Sequence, residues 1–203
     1  MTHKYAEIAF TNAVKSVQQT MGSRNAYARR ESGFDSHDRL GPNEVNFIVE
    51  RDSFYIASVS ETGWPYIQFR GGPIGFLRVL DDQTLGFADF QGNRQYITFG
   101  NVTTYDRVAL FLMDYPNRRR LKIFGRMSFS DGDLKLRKKS VASSYDATVE
   151  HEFRIEVAAF DWNCPRHITP RFTEEEIVEF FPAIKNSDDQ QSHNRKNRHD
   201  QSN

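Results

Sequence analysis

A single cysteine, Cys164, in 203 residues leaves no partner for an internal disulfide and no set of thiolates for a structural zinc or iron–sulfur site. Charge of one sign is missing too. The 27 basic side chains balance 27 acidic ones, so no overall field draws the chain to nucleic acid or to an anionic membrane. No apolar run approaches the roughly 18 residues of a membrane span. The first residues, MTHKYAEIAF, lack the basic-then-apolar order of a secretory signal. There is no G-x-x-x-x-G-K-[ST], no G-x-G-x-x-G, no H-E-x-x-H and no G-x-S-x-G. The histidines, at 3, 37, 151, 167, 193 and 199, fall at no ligand spacing. P-loop, hydrolase and metalloenzyme readings therefore start weak. The expectation is a cytoplasmic protein with no metal site and no nucleic-acid or membrane partner.

What the chain has is aromatic residues, 13% of the total with 17 Phe, which point to a core of rings and β-branched side chains. The end is different. Asn186–Asn203 (NSDDQQSHNRKNRHDQSN) holds no apolar residue to offset the entropy of ordering, so a disordered polar tail is expected over 186–203. Tyr5–Met21 carries Ile8, Phe10, Val14 and Val17 at mixed helical spacing, and Gly22–Gly41 reads as a covering loop, giving an N-terminal helix and loop over 1–41. Pro42 opens a short helix that carries Val45, Ile48 and Val49 inward and stops near Arg51.

From there the period becomes two. Phe54–Val59 and Trp64–Arg70 flank the turn residues Glu61-Thr62-Gly63, a hairpin pattern. Phe76–Leu80 and Thr84–Phe90 make a second hairpin across Asp81-Asp82, and Tyr105–Met113, Leu121–Ser130 and Glu152–Phe160 are further strands. Helices are expected after Gly92, over Asp133–Ser143, and at Thr173–Phe181, where Thr173 and Glu176 form a capping box. Six or seven strands joined by short helices argue against a doubly wound sheet. They favour a mainly β (α+β) fold, a mostly antiparallel barrel over 42–185.

The chemistry concentrates between Pro65 and Asn101. Gln68 and Arg70 share one strand face. Gly71 and Gly72 leave room for a ligand or another backbone to approach. Gly92-Asn93-Arg94-Gln95 leads into a helix, whose free amides with Arg94 and Asn93 make a candidate phosphate cradle beside Arg70. The competing reading has Asn93 as a helix cap and both arginines solvated. Arg118-Arg119-Arg120, with Lys122 and Arg126, is the densest basic cluster, and a solvated turn is its simplest reading. Cys164, beside Arg166 and His167, reads as a packing residue before a redox thiol. Asp35-Ser36-His37-Asp38 has no firm mechanism beyond covering the site.

Three motifs resemble one family. Arg70-Gly71-Gly72-Pro73-Ile74-Gly75-Phe76-Leu77, Phe87-Ala88-Asp89-Phe90-Gln91-Gly92-Asn93-Arg94-Gln95 and Asp161-Trp162-Asn163-Cys164-Pro165-Arg166-His167-Ile168 stand in order over roughly Phe10–Phe181. The chain is thereby similar to the pyridoxamine 5′-phosphate oxidase-like, FMN-binding split-barrel family, in its subgroup with R-G-G-P-x-G-F-L, F-A-D-x-x-G-N-R-Q and D-W-N-C-P-x-H-I. The resemblance implies a six-stranded antiparallel split barrel and a homodimer with FMN at the subunit interface. It implies that Gln68, Arg70, Ala88 and Asp89 line the flavin and that Asn93, Arg94 and Gln95 hold its phosphate. Arg120 would reach the ring from the partner subunit, and Trp162 and Asn163 would cover it. The ending around Asp161–Ile168 differs from the arginine–histidine pattern of the founding oxidase, which argues against pyridoxamine phosphate as substrate. The implied activity is an FMN-dependent oxidoreductase moving hydride between flavin and a small substrate or a reduced nicotinamide donor, with no catalytic side chain assigned. The alternative is a flavin- or haem-binding protein for storage, sensing or stress protection, and a deazaflavin enzyme is a third reading.

Overall fold

The computed structural model describes residues 3–32, 37–130, 145 and 147–180. The helix expected at Asp133–Ser143, the tail at 186–203, and Asp35 and Ser36 lie outside them. The chain divides into two units, 1–114 with 119–164 and 115–118 with 165–203. In the smaller one, α6 (Glu174–Phe180) begins as expected: Thr173 Oγ1 accepts from the Glu176 N–H at 3.2 Å, and Glu176 Oε2 accepts from the Thr173 N–H at 2.8 Å.

The larger unit is built on β1 (Ser53–Val59), β2 (Pro65–Gly71), β3 (Arg78–Asp81), β4 (Thr84–Phe90), β5 (Arg107–Asp114), β6 (Arg119–Ser130) and β7 (Val149–Trp162). They form one sheet in the order β2-β1-β5-β6-β7-β4-β3, every pair antiparallel. This corrects the six-stranded count that the resemblance implies. Among the described residues there are seven strands, with β2 and β3 at the edges, and backbone hydrogen bonds do not close the sheet. The short β3 is the strand that the run Phe76–Leu80 marks.

Alternation accounts for the core. β5 buries every second residue, Val108, Leu110, Leu112 and Asp114. β1 does the same with Phe54, Ile56 and Ser58, and β4 is buried on both faces from Leu85 to Asp89. Rings tie the strands together inside: Phe54 meets Phe87 edge-on at 5.3 Å, and Phe87 meets Phe153 at 5.3 Å. α4 (Pro42–Val49) lays Phe47 and Ile48 into the same core. Its start is fixed by Glu44, whose carboxylate accepts from the Gly41 N–H at 3.0 Å and from Trp162 Nε1 at 2.7 Å.

Two helical expectations need correction. The segment expected as one helix from Tyr5 to Met21 is two, α1 (Lys4–Ala9) and α2 (Asn12–Thr20), because Thr11 turns extended and caps α2 through its hydroxyl. The expected covering loop contains α3 (Arg24–Glu31), held by Arg24 on Glu31 at 2.7 Å. No helix among the described residues is long and apolar enough to cross a membrane.

Close packing sets one stability prediction. A Cβ on Gly125, at the β6 bulge, would stand 2.5 Å from Ile155 Cγ2 and 2.8 Å from the Glu156 carbonyl oxygen. Gly125→Ala should therefore cost about 1–3 kcal/mol, read as a lower urea midpoint at unchanged slope. An unchanged midpoint would mean the backbone there has room to yield.

Candidate functional site

On β2 the side chains alternate sharply. Tyr66, Gln68 and Arg70 sit opposite Ser58, Ile56 and Phe54 on the core face, while Ile67 and Phe69 point the other way and are 67% and 58% exposed. The inward set meets β4 and α5 (Ile97–Thr104). Gln68 Oε1 accepts from Thr98 Oγ1 at 2.7 Å, and Arg70 pairs through Nη1 with the Asp89 carboxylate. The resulting cleft, of about 260 Å³, brings together six of the residues expected there: Gln68, Arg70, Asp89, Asn93, Arg94 and Gln95.

Both members of the Arg70–Asp89 pair are withdrawn from water, and the Arg70 guanidinium lies over the Phe87 and Phe153 rings at 6.0 and 5.8 Å. Arg70 Nε is buried with no hydrogen-bond partner. Burial pushes the Asp89 carboxyl above its ordinary range, and the Arg70 charge works against that rise.

Arg94 stands at the mouth. Its Nε donates to Tyr96 Oη at 2.8 Å and lies 3.6 Å from a Glu150 oxygen. Tyr96 Oη in turn donates to Glu150 at 3.0 Å. The helix here begins later than expected. α5 starts at Ile97, and Arg94 and Tyr96 adopt left-handed φ of 59° and 52°. Asn93 therefore does not cap the helix. Its Oδ1 accepts from the Gln95 N–H at 3.2 Å, turning the loop so that its side chains face the cleft.

The rest of the expected set is placed elsewhere within one chain. Ala88 is buried in β4 and does not line the cleft. Arg120 lies on the outer face of β6, opposite Met113, with its Nε buried and unpartnered. Trp162 packs edge-on to Phe47 at 4.8 Å under the Arg119 guanidinium, and with Asn163 it lines a second cavity. Gly72 also reads differently. The space over it is filled by Phe76 and Phe90, which a Cβ would meet at 2.8 Å, so the glycine admits aromatic packing. Sequence reasoning missed Tyr66, Tyr96, Thr98 and Glu150. The alternation that gave Gln68 and Arg70 includes Tyr66. Nothing local marks Glu150, which reaches the cleft because β7 pairs with β4.

Residues 40–162 match the family described as pyridoxamine 5′-phosphate oxidase. Among solved structures, the chain is similar to HupZ of Group A Streptococcus, at 12% identity and a TM-score of 0.48 over 66% of this chain and 100% of that one. It is similar to an FMN-binding protein from Syntrophomonas wolfei subsp. wolfei, at 10% identity and a TM-score of 0.48 over 72% of this chain and 97% of that one. It is also similar to HutZ, the haem storage protein from Vibrio cholerae, at 16% identity and a TM-score of 0.40 over 59% of this chain and 90% of that one. None of the curated proteins matches it.

The buried pair generates a prediction with a pH sign. Arg70→Met leaves Asp89 buried and unpaired, which should cost about 3–5 kcal/mol at neutral pH. A carboxyl whose folded pKa lies above its unfolded one binds more protons folded than unfolded. Stability therefore falls as pH rises from about 3.9 through the folded value. Removing Arg70 raises that value further, so urea unfolding should give a smaller loss at pH 4 than at pH 7. An equal loss at both would mean that Arg70 matters by packing alone.

Proposed function

The chain belongs to the pyridoxamine 5′-phosphate oxidase family, and from that premise we propose that it binds FMN in the cleft between β2, β4 and α5 and serves as an FMN-dependent oxidoreductase for a small organic substrate. The observation that carries the reading is the cleft itself. It gathers Gln68, Arg70, Asn93, Arg94 and Gln95 from separate segments and leaves Arg70 Nε buried without a partner.

The donors suit a phosphate monoester with a planar polar-edged ring. Arg94 is exposed and offers a charge-assisted bond, and the Asn93 and Gln95 amides add neutral donors. Gln68 and the free Arg70 Nε suit the oxygen and nitrogen edge of a heterocycle. Glu150 opposes an anion, so a bound phosphate would have to draw Arg94 away from Tyr96 and Glu150. When bound, FMN supplies the two-electron chemistry, and the chain's part is to hold, orient and shield. No side chain is assigned as acid or base.

A second copy of the chain would complete the site. The cleft's 260 Å³ falls below the roughly 300–1,000 Å³ typical of ligand sites. The outer face of β1, β2 and β5 exposes Tyr55, Ile67 and Phe69, an apolar strip that suits burial against another copy. Arg120 and Lys122 share that face through the β5–β6 register, so the dimer we propose would present Arg120 to the neighbouring cleft. Haem storage is the weaker alternative, because among the described residues no imidazole or thiolate lines the cleft.

The test is the visible spectrum of the purified protein with the released cofactor identified by mass. One FMN per chain is expected, with Arg94→Ala weakening it at least tenfold. Phe69→Asp should give monomers in sedimentation and lose flavin as well. Bleaching by a reduced nicotinamide and reoxidation with turnover would mark an enzyme rather than a store. A colourless protein that excess FMN cannot saturate would overturn the reading.

A further inference from the structure

Three segments far apart in sequence meet at the end of β7. His3 precedes α1, and its N–H donates to the Glu31 carbonyl at 3.2 Å at the close of α3. His37 is brought beside β7 by the Phe160 N–H, which donates to its carbonyl at 2.8 Å. Asp161 is the next residue of that strand. The His3 and His37 rings stack at 4.1 Å with 9° between their planes, and one donor atom from each of His3, His37 and Asp161 lies within 4.8 Å of the other two.

We propose that His3, His37 and Asp161 form a binding site for one first-row divalent transition-metal ion of the zinc or cobalt type. Two imidazoles and one carboxylate favour such ions over magnesium or calcium, which prefer oxygen donors. The second observation is His3 itself. It is only 8% exposed, and its Nδ1 is buried with no hydrogen-bond partner. A buried imidazole held only for packing normally satisfies both ring nitrogens.

The geometry is close to what an ion needs. Three atoms no more than 4.8 Å apart share a point no further than 4.8/√3, about 2.8 Å, from each. Zinc–nitrogen bonds of about 2.0–2.1 Å therefore require side-chain movement of under ~1 Å, with the two rings splaying from their stack so that their lone pairs converge. Three protein ligands leave a fourth position. His3 and Asp161 also line a cavity of about 330 Å³ that reaches Tyr5, Trp162, Asn163 and Cys164. Arg30 and Lys122 line the same cavity and oppose a cation, which the Asp161 carboxylate offsets. Bound there, the ion would pin α1 and the segment after α3 to β7. None of its ligands lines the flavin cleft, so this site stands or falls independently of the FMN reading.

The test uses the full chain with His193 and His199 replaced by Ala, so that the polar tail contributes no imidazole. After chelator treatment and dialysis, titration with Co²⁺ should load one ion per chain with visible d–d absorption, and Zn²⁺ should displace it. His3→Ala and His37→Ala should each weaken Co²⁺ binding at least a hundredfold, while His167→Ala, at an exposed histidine, should leave it unchanged. X-ray absorption of the zinc-loaded protein should show two imidazoles, which keeps the test decisive even where a histidine variant fails to fold. No binding below millimolar Co²⁺, undiminished binding in folded His3→Ala or His37→Ala, or fewer than two imidazoles on zinc would overturn the proposal.

Discussion

The pair between Arg70 and Asp89 joins strands that the sheet's own hydrogen bonds keep apart. β2 is one edge, and β4 is separated from it by β1, β5, β6 and β7. A contact between them requires the sheet to curl until its two ends face each other. The Phe54–Phe87–Phe153 rings fill the space beneath. The curl is thus closed by side chains: aromatic packing inside and one withdrawn ion pair at the opening. Burying that pair costs desolvation on both sides. Even so, the pair leaves Arg70 Nε buried without a hydrogen-bond partner.

Charge in the cleft is balanced. Arg70 answers Asp89, and Arg94 answers Glu150 through Tyr96. The two pairs differ in depth, and depth decides which can exchange. Arg70 and Asp89 are buried, so separating them exposes an uncompensated charge to a low dielectric. Arg94 is largely in water and 3.6 Å from its carboxylate, where an ion pair is worth at most about 1 kcal/mol. A phosphate can outbid Glu150 for Arg94 far more readily than anything can outbid Asp89 for Arg70. One pair is withdrawn from water and the other lies largely in it.

Much of this was legible in the sequence. Strands announce themselves by alternation, and the runs at Phe54–Val59, Trp64–Arg70 and Thr84–Phe90 each became one. The same period put Gln68 and Arg70 on one face. The Thr173–Glu176 capping box and the proline of α4 marked their helix starts, because those signals act within one turn. What stayed hidden depends on tertiary placement. The late start of α5 rests on two left-handed residues, Arg94 and Tyr96, neither of them a glycine. Glu150 reaches the cleft through strand pairing. The helix in 24–31 has charged residues all round and is fixed by the Arg24–Glu31 pair, so it carried no apolar stripe for a period to reveal.

The same limit explains why the histidines read as unrelated. Spacing finds ligands that share one helix or one hairpin, and His3, His37 and Asp161 share neither. Their meeting depends on α1 lying along β7, with Tyr5 stacked on Phe124 at 5.0 Å, and on the His37 carbonyl taking the Phe160 N–H. His3 and His37 also precede residue 40, where the family match begins. An N-terminal cover of short helices has little core of its own. α3 buries no residue, and α1 buries only Tyr5 and Ala6. Such a cover gains most from a cross-link to the barrel, and Asp161 is the barrel residue placed to provide one.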